Sequence, residues 1–128
     1  MSRYKDGVYS YVKATTPFDV TISPPEVLET NHISEKADVY AFSLIMWELY
    51  TRTRPFKTMN PQWVANRVTY DKMRPPLDDT ENWSKPYVDL MVQCWDHNYR
   101  SRPYFDEILR RLEQIHIFGI FSFYKFYN

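Results

Sequence analysis

Residues 37 to 50 constrain the fold of this chain more than any other segment, because they are apolar at almost every position. The run shows no strand-like alternation of apolar and polar side chains. It is too short, and too interrupted by acids, to cross a bilayer. As a helix it is apolar nearly all the way round, which predicts that other elements pack on every side of it. We therefore expect Asp38 and Glu48, the acids within it, to be buried and to meet donors or a cation.

Composition narrows the class of protein that can contain such a segment. The chain has 128 residues, enough for one modest core. Its 16 basic side chains balance 16 acidic ones, so no bulk charge favours nucleic acid and we expect no nucleic-acid partner. Cys94 is the single cysteine, which excludes an internal disulfide and a cysteine-built zinc site. We expect Cys94 to be a small buried core residue, and we expect no metal site.

Two further features bear on location and ligand. Residues 1 to 5 lack the apolar core of a signal peptide, and no stretch is long and apolar enough for a membrane span, which predicts a cytoplasmic protein. Glycine occurs only at positions 7 and 119. A phosphate cradle needs several glycines so that backbone N–H groups can approach the nucleotide. This chain by itself is therefore predicted to bind no nucleotide.

Cap residues and prolines predict where the first helices begin. The segment 23–26, Ser-Pro-Pro-Glu, is typical of a helix start with a capping box, and predicts a short helix to about residue 30. Ser34 is expected to cap the apolar helix at about 36–52. Asn60 and Pro61 together predict a helix over roughly 61–70.

The second half of the chain continues the helical pattern. Ser84 followed by Lys85 and Pro86 predicts another helix start. The last helix begins near Pro103 and is predicted to bury one apolar side, made of Phe105, Ile108, Leu109, Leu112 and Ile115. The predicted fold class is mainly α, with helices packed around a buried central helix at about 36–52.

The termini differ from this pattern. Residues 1–22 have no steady period and are predicted to be irregular, with one short strand near 8–12. Residues 116–128 form an aromatic-rich tail that is too short to span a membrane. It could lie on the surface of the domain, extend the last helix, or be mistranslated sequence.

Several motifs, in order, resemble the C-terminal lobe of a protein kinase over roughly residues 23 to 115. The proline and acid at 25–26 match the Ala-Pro-Glu that closes the kinase activation segment. Residues 36–42 look like the start of that lobe's central helix, and residues 47–49 like its middle. The turn at 51–56 has the length typical of the tyrosine-kinase-like serine/threonine branch. The match continues through Met73-Arg74-Pro75-Pro76-Leu77, Gln93-Cys94-Trp95-Asp96 and Arg102-Pro103.

The resemblance divides the chain and assigns a structural pair. Residues 1–22 would be a degenerate remnant of the activation segment, 23–115 a partial kinase domain, and 116–128 an additional tail. Glu26 would pair with Arg102, tying the activation segment to the last helices. Three departures are mild: Ser43 replaces the family's glycine after the helix aromatic, residues 98–99 replace its Asp-Pro, and Tyr104 stands where a capping Ser or Thr is common.

The resemblance also implies roles for residues of the central helix. Asp38 would accept N–H groups from the catalytic loop. Ile45 and Leu49 stand where the family places hydrophobic-spine residues that support the nucleotide. Glu48 occupies a position that in some kinases helps to read basic substrates; the alternative is a structural acid bonded to a tyrosine or an arginine.

The catalytic motifs of a kinase do not occur in this sequence. A kinase needs a β-strand Lys, a His-Arg-Asp with a downstream Asn, and an Asp-Phe-Gly for magnesium. His32, His97 and His116 are followed by Ile, Asn and Ile, and Asp6-Gly7 lacks the intervening Phe. The family activity is phosphoryl transfer from ATP to protein Ser/Thr or Tyr, and ATP and Mg²⁺ are expected for a full-length member. This chain alone is predicted to be inactive.

Three interpretations stay open from the sequence. The chain is part of an active kinase reduced by a truncated gene model, or a true remnant that acts as a non-catalytic kinase-like binding or regulatory module. An unrelated helical domain would require the ordered motifs to be coincidence. The expected partner is a protein substrate or a regulatory protein. Without a catalytic loop, the side of the helix with Ile45 and Leu49 would be bare, which predicts association unless the N-terminal 22 residues or the tail cover it.

Overall fold

The computed structural model describes residues 19–78 and 80–115, and these form helices joined by short loops without any strand. This confirms the mainly α fold. We label the helices in chain order: α1 is Pro25–Thr30, α2 is Glu35–Thr51, α3 is Pro61–Asp71, α4 is Lys85–Cys94 and α5 covers 105–115. Short 3-10 helices at Val20–Ile22, Thr80–Asn82 and Tyr99–Ser101 lie in the connections. The strand predicted near 8–12 and the tail at 116–128 lie outside the described residues.

Two of the predicted helix caps are confirmed by their hydrogen bonds. The Ser34 hydroxyl accepts from the Lys36 backbone N–H at 3.2 Å at the start of α2. The Asn60 side chain accepts from the Trp63 N–H at 3.0 Å, and Pro61 follows in the first turn of α3. Each cap satisfies one of the N–H groups that a helix start leaves without a partner.

The capping box predicted at Ser23 is wrong. Pro24 is the N-cap of α1 and makes no side-chain cap bond, while the Ser23 hydroxyl donates to the Asp19 carbonyl oxygen at 3.0 Å. The carboxylate of Glu26 is turned away from the helix start, towards a distant arginine described below. Ser84 is the N-cap of α4 as predicted, but its side chain makes no cap hydrogen bond.

Three consecutive helices end in the left-handed region without a glycine. Asn31 after α1, Arg52 after α2 and Lys72 after α3 have φ values of 57°, 54° and 56°. The Arg52 N–H donates to the Glu48 carbonyl oxygen at 2.7 Å and closes the last turn of α2. Such a cap is usually glycine, because a Cβ is disfavoured at positive φ.

The core lies around the packed side of α2. Buried side chains of α2 meet apolar residues of α3, α4 and α5, including Val39, Leu44, Met46, Val64, Val68, Leu90, Met91 and Ile108. Trp47 Nε1 donates to the Pro76 carbonyl oxygen at 2.8 Å, which holds the 72–78 loop against α2. Cys94 is fully buried, as predicted, and burial raises the pKa of its thiol to about 12.

The prediction that α2 is buried all round is wrong. Ile45 and Leu49 are 52% and 68% exposed, and Asp38 and Glu48 are exposed as well. Ile45 follows Asp38 by seven residues, and Glu48 and Leu49 follow Ile45 by three and four, so the four positions share one side of the helix. In the part of the chain that the structure describes, the packing elements all lie against the other side. The prediction for the last helix needs two corrections, since Phe105 and Leu109 are 37% and 60% exposed.

One result bears on membranes. None of the helices within the described ranges combines the length and the apolar character that crossing a bilayer requires.

Candidate functional site

The best-defined polar feature of the molecule is an ion pair between Glu26 and Arg102. Arg102 follows the 3-10 helix at Tyr99–Ser101, and Glu26 lies in the first turn of α1. Nη1 donates to Oε2 at 2.7 Å and Nη2 to Oε1 at 2.9 Å, so the contact is bidentate. The side chains are 0% and 8% exposed. The structure thus brings together two residues that stand 76 positions apart in the chain.

The same guanidinium also binds two backbone carbonyl groups. Arg102 Nε donates to the Asp96 oxygen at 2.9 Å, and Nη1 donates to the Lys36 oxygen at 2.9 Å. A buried guanidinium is tolerated only when most of its N–H groups are satisfied, and four of the five N–H groups of Arg102 donate in these bonds. Arg102 therefore joins α1, the start of α2 and the loop after α4.

Lys36 returns a bond to the same loop. Its Nζ donates to the Arg102 carbonyl oxygen and lies 3.9 Å from the centroid of the Tyr104 ring. A cation above an aromatic face is attracted by the ring quadrupole. Burial, the largest cause, lowers the pKa of Lys36 below its usual value, and the nearby Arg102 lowers it further while Glu35 raises it. The start of α2 and the start of α5 are thereby connected through one lysine.

Tyr40 lies close to two arginines within this network. The guanidinium carbons of Arg74 and Arg102 are 5.1 Å and 5.2 Å from its ring centroid. Arg74 is itself held by a bond from Nε to the Trp95 carbonyl oxygen at 2.9 Å. The Tyr40 hydroxyl is buried and has no hydrogen-bond partner among the described residues. Burial raises the pKa of this phenol.

The sequence predicted part of this network and missed the rest. Glu26 and Arg102 were expected from the family resemblance, whereas nothing assigned Tyr40 or Lys36 to the same cluster. Arg74 belongs to a motif that was recognised, but its contact with Tyr40 was not predicted. The signal available was chemical: a buried cation needs aromatic faces, carbonyl groups or a carboxylate around it.

The other predicted site residues lie elsewhere, on the exposed side of α2. Asp38, Ile45, Glu48 and Leu49 share that side and are exposed. The expectation that Asp38 and Glu48 are buried acids is therefore wrong, because both fall on the helix side that faces away from α3 and α4. Glu48 is exposed and makes no ion pair with another described residue, and its two alternative roles, a substrate contact or a structural acid, stay predictions.

The described residues contain neither the glycines of a phosphate loop nor a cluster of side chains that could hold a metal ion. They contain no glycine, since both glycines lie outside 19–78 and 80–115. Within those ranges, no three side chains of His, Cys, Asp or Glu converge as a metal site requires. The arrangement of Arg102, Glu26, Lys36 and Tyr40 holds charges and excludes water, and it offers no nucleophile or general base positioned for a reaction.

The helical lobe, the buried Arg–Glu pair and the order of the motifs define the class of protein. Residues 1–112 match the sequence profile of the protein tyrosine and serine/threonine kinase family. The chain therefore belongs to this family, as its motifs suggested.

Individual relatives agree with this assignment. The chain is 42% identical over 117 residues to the dual specificity protein kinase shkD of Dictyostelium discoideum, a match that covers 89% of this chain and 15% of the relative. It is 44% identical over 97 residues to a putative serine/threonine-protein kinase/receptor of Acanthamoeba polyphaga mimivirus, covering 71% of this chain and 6% of that protein. A probable serine/threonine-protein kinase of Arabidopsis thaliana, SIS8, is 34% identical over 115 residues, 90% of this chain and 11% of the relative. The chain thus spans a small part of the length of these relatives.

Proposed function

We propose that this chain supplies the helical C-terminal-lobe scaffold of a kinase that transfers phosphate from ATP to Ser, Thr or Tyr of proteins. By itself the chain neither binds ATP nor transfers phosphate. Its role is to hold the end of the activation segment, at α1, against the last helices. A full-length kinase would supply the glycine loop, the nucleotide lysine and the metal ligands that this sequence does not contain.

The observation that carries this proposal is the buried bidentate contact of Arg102 with Glu26. Glu26 belongs to the motif that closes the activation segment, and Arg102 belongs to the loop that precedes α5. A pair desolvated to 0% and 8% exposure fixes the relative position of two elements far apart in sequence. Such a tie suits a lobe that must present an activation segment in one defined place.

The predicted inactivity can be measured directly on the chain. Thermal-shift titration with Mg-ATP should give no saturable rise in melting temperature, because binding to the folded state would stabilise it by mass action. A radiolabel assay with γ-labelled ATP and mixed protein acceptors should show no transfer above a blank without the chain. A saturable shift or acceptor labelling would contradict the proposal.

The scaffold role needs a second experiment, because inactivity alone would fit many proteins. Residues 19–115 can replace the matching segment of the dual specificity protein kinase shkD. The chain is 42% identical to this relative over 117 residues. We expect the chimera to retain phosphotransfer, and the same chimera with Arg102→Ala to lose it. A chimera that folds, as judged by cooperative melting, yet transfers no phosphate would argue against a compatible scaffold.

One observation favours a second candidate, a non-catalytic binding or regulatory module. The exposed apolar side of α2, with Ile45 and Leu49, is a surface of the kind that contacts other proteins. On either proposal the partner is a protein, a substrate or a regulator, in the cytoplasm, and Glu48 stands exposed where it could contact a basic substrate. Retention of activity by the chimera would favour the first candidate.

A further inference from the structure

The loop between α2 and α3 concentrates positive charge on a chain that has no excess of it. The whole chain has 16 basic and 16 acidic side chains, yet residues 49–70 contain four cations and no Asp or Glu. Three of these cations, Arg52, Arg54 and Lys57, lie in the loop and are exposed. None of the three makes an ion pair with another described residue. The loop therefore presents three positive charges that can meet acids of another molecule.

Exposed apolar side chains adjoin the charged loop. Met59, at the end of the loop, and Trp63, in the first turn of α3, are 45% and 50% exposed. The Asn60 side chain accepts from the Trp63 N–H at 3.0 Å and holds this turn directly after Met59. Tyr70 is 70% exposed and lies seven positions after Trp63, on the same side of α3. We call the three loop cations together with Met59, Trp63 and Tyr70 the basic patch.

Internal hydrogen bonds and one buried ring fix the shape of the loop. Phe56 is 8% exposed and has a φ of 58°, which is unfavourable for an aromatic residue, so the packing of its ring holds the backbone there. The Met59 N–H donates to the Phe56 carbonyl oxygen at 3.1 Å. At the other end of the loop, the Thr51 hydroxyl donates to the Trp47 carbonyl oxygen at 3.0 Å. A loop that is ordered before binding loses less conformational entropy when a partner binds.

The composition of the basic patch favours a protein as the partner. Trp, Tyr, Met and Arg are the residues that protein interfaces contain in excess. Arg67 stands between Trp63 and Tyr70 on α3 and pairs with Asp71 at the surface. Burial of this ion pair in lipid would be costly, which disfavours a membrane as the partner. Three loop cations are also few compared with the phosphate contacts on which nucleic-acid binding depends.

We propose that the basic patch binds an acidic segment of another protein. Asp or Glu side chains of that segment meet Arg52, Arg54 and Lys57, and one of its apolar side chains packs on Met59 and Trp63. The charges select and orient the partner, whereas the apolar contact supplies most of the affinity. This inference goes beyond the scaffold role and does not depend on phosphotransfer.

Fluorescence anisotropy with the full chain and a labelled synthetic peptide tests the proposal. The peptide contains glutamates on both sides of a central Leu-Phe pair, and the control peptide has Ser-Ser at the centre. We expect saturable binding of the first peptide that weakens as salt is added. The control peptide should bind more weakly, because it has the charges without the apolar contact.

Two variants with the same net charge test whether the loop cations are responsible. Arg54→Gln combined with Lys57→Gln should raise the dissociation constant of the first peptide about five-fold, since it removes two surface charge contacts. The matched control combines Arg100→Gln with Arg110→Gln, which removes two exposed cations outside the basic patch. This control should leave the dissociation constant unchanged.

The apolar contact is tested in the same way. Trp63→Gln should weaken binding about ten-fold or more, as expected for an aromatic anchor. Leu109→Gln alters a side chain of comparable exposure on α5, 60% against 50%, and should have no effect. Cooperative melting verifies that each variant folds. The absence of saturable binding, equal weakening by patch and control variants, or binding to phosphatidylserine vesicles in preference to the peptide would overturn the proposal.

Discussion

The two sides of α2 carry similar apolar residues but have opposite surroundings. On the packed side, Tyr40 and Leu44 are buried and Arg102 meets Glu26 and backbone carbonyl groups. On the other side, Ile45 and Leu49 are 52% and 68% exposed. The comparison teaches that apolar composition shows which surfaces can be buried, whereas the elements present in the fold decide which of them are.

The packed side is also the side on which polar groups are satisfied locally. The guanidinium of Arg102, the Lys36 ammonium and the Trp47 N–H each find a partner within the described residues. These contacts join segments that lie far apart in the chain, so the packed side should determine the stability of the fold. The exposed side of α2 should contribute far less, and substitutions on the two sides should differ accordingly.

The largest effect is expected at Arg102. Arg102→Ala leaves the Glu26 carboxylate buried without its partner, which should lower the free energy of unfolding by roughly 3–5 kcal/mol. Chemical denaturation of the full chain measures the loss. The matched control is Arg67→Ala, since Arg67 pairs with Asp71 on the surface, at 41% and 52% exposure, and should lose less than about 1 kcal/mol.

A double-mutant cycle sharpens this result. Glu26→Gln should also be strongly destabilising, and the double variant should lose clearly less than the sum of the single losses, because the residues share one contact. Strictly additive losses would show that the two residues act independently, despite the 2.7 Å contact.

An intermediate effect on stability is expected from removing the hydroxyl group of two tyrosines, Tyr87 and Tyr40. The Tyr87 hydroxyl donates to the Met46 carbonyl oxygen at 2.8 Å. Burial raises the pKa of Tyr87 to about 12. Tyr87→Phe therefore removes a hydrogen bond worth about 1 kcal/mol. The Tyr40 hydroxyl is buried without a partner in the described part of the chain. Tyr40→Phe should therefore leave stability unchanged or raise it, because a buried unsatisfied hydroxyl is unfavourable.

Thermal and urea unfolding of the two variants provide the measurement. Opposite signs, a loss for Tyr87→Phe and none for Tyr40→Phe, are the expected outcome. A loss of about 1 kcal/mol at both positions would indicate that the Tyr40 hydroxyl does bind a partner.

The smallest effect is expected on the bare side of α2. Glu48 is exposed and makes no ion pair with another described residue, so Glu48→Gln should change the free energy of unfolding by no more than about 0.5 kcal/mol. Equilibrium denaturation against the unaltered chain is sufficient. A loss above 1 kcal/mol would mean that this carboxylate has a stabilising contact after all.

Much of the fold could be predicted because its helix starts are marked by local chemistry. Asn60 before Pro61 and Ser34 before α2 are signals that involve neighbouring residues only, and the structure forms both caps. The prediction from the local sequence was wrong at Ser23, where a capping box was expected. Glu26 could not serve the helix start because its carboxylate binds Arg102, 76 residues away.

The candidate site was less predictable for the same reason. The Glu26 and Arg102 pairing came from the family resemblance, since no periodicity or spacing connects residues so far apart. The contact of Tyr40 with Arg74 and Arg102 depends on how α2 and two loops meet in space, which the sequence does not encode locally. The burial of Asp38 and Glu48 was predicted wrongly because an apolar helix was assumed to be covered on all sides.

The left-handed residues that end α1, α2 and α3 offer a practical route to a sturdier protein. Asn31, Arg52 and Lys72 have φ between 54° and 57°, where a side chain beyond glycine raises the energy of the backbone. Asparagine tolerates this conformation best, so Arg52 and Lys72 are the better positions to exchange. Arg52→Gly and Lys72→Gly should each relieve backbone strain at a solvent-facing helix end. An engineer who needs a robust lobe for crystallisation or chimera work can begin there, without touching the core.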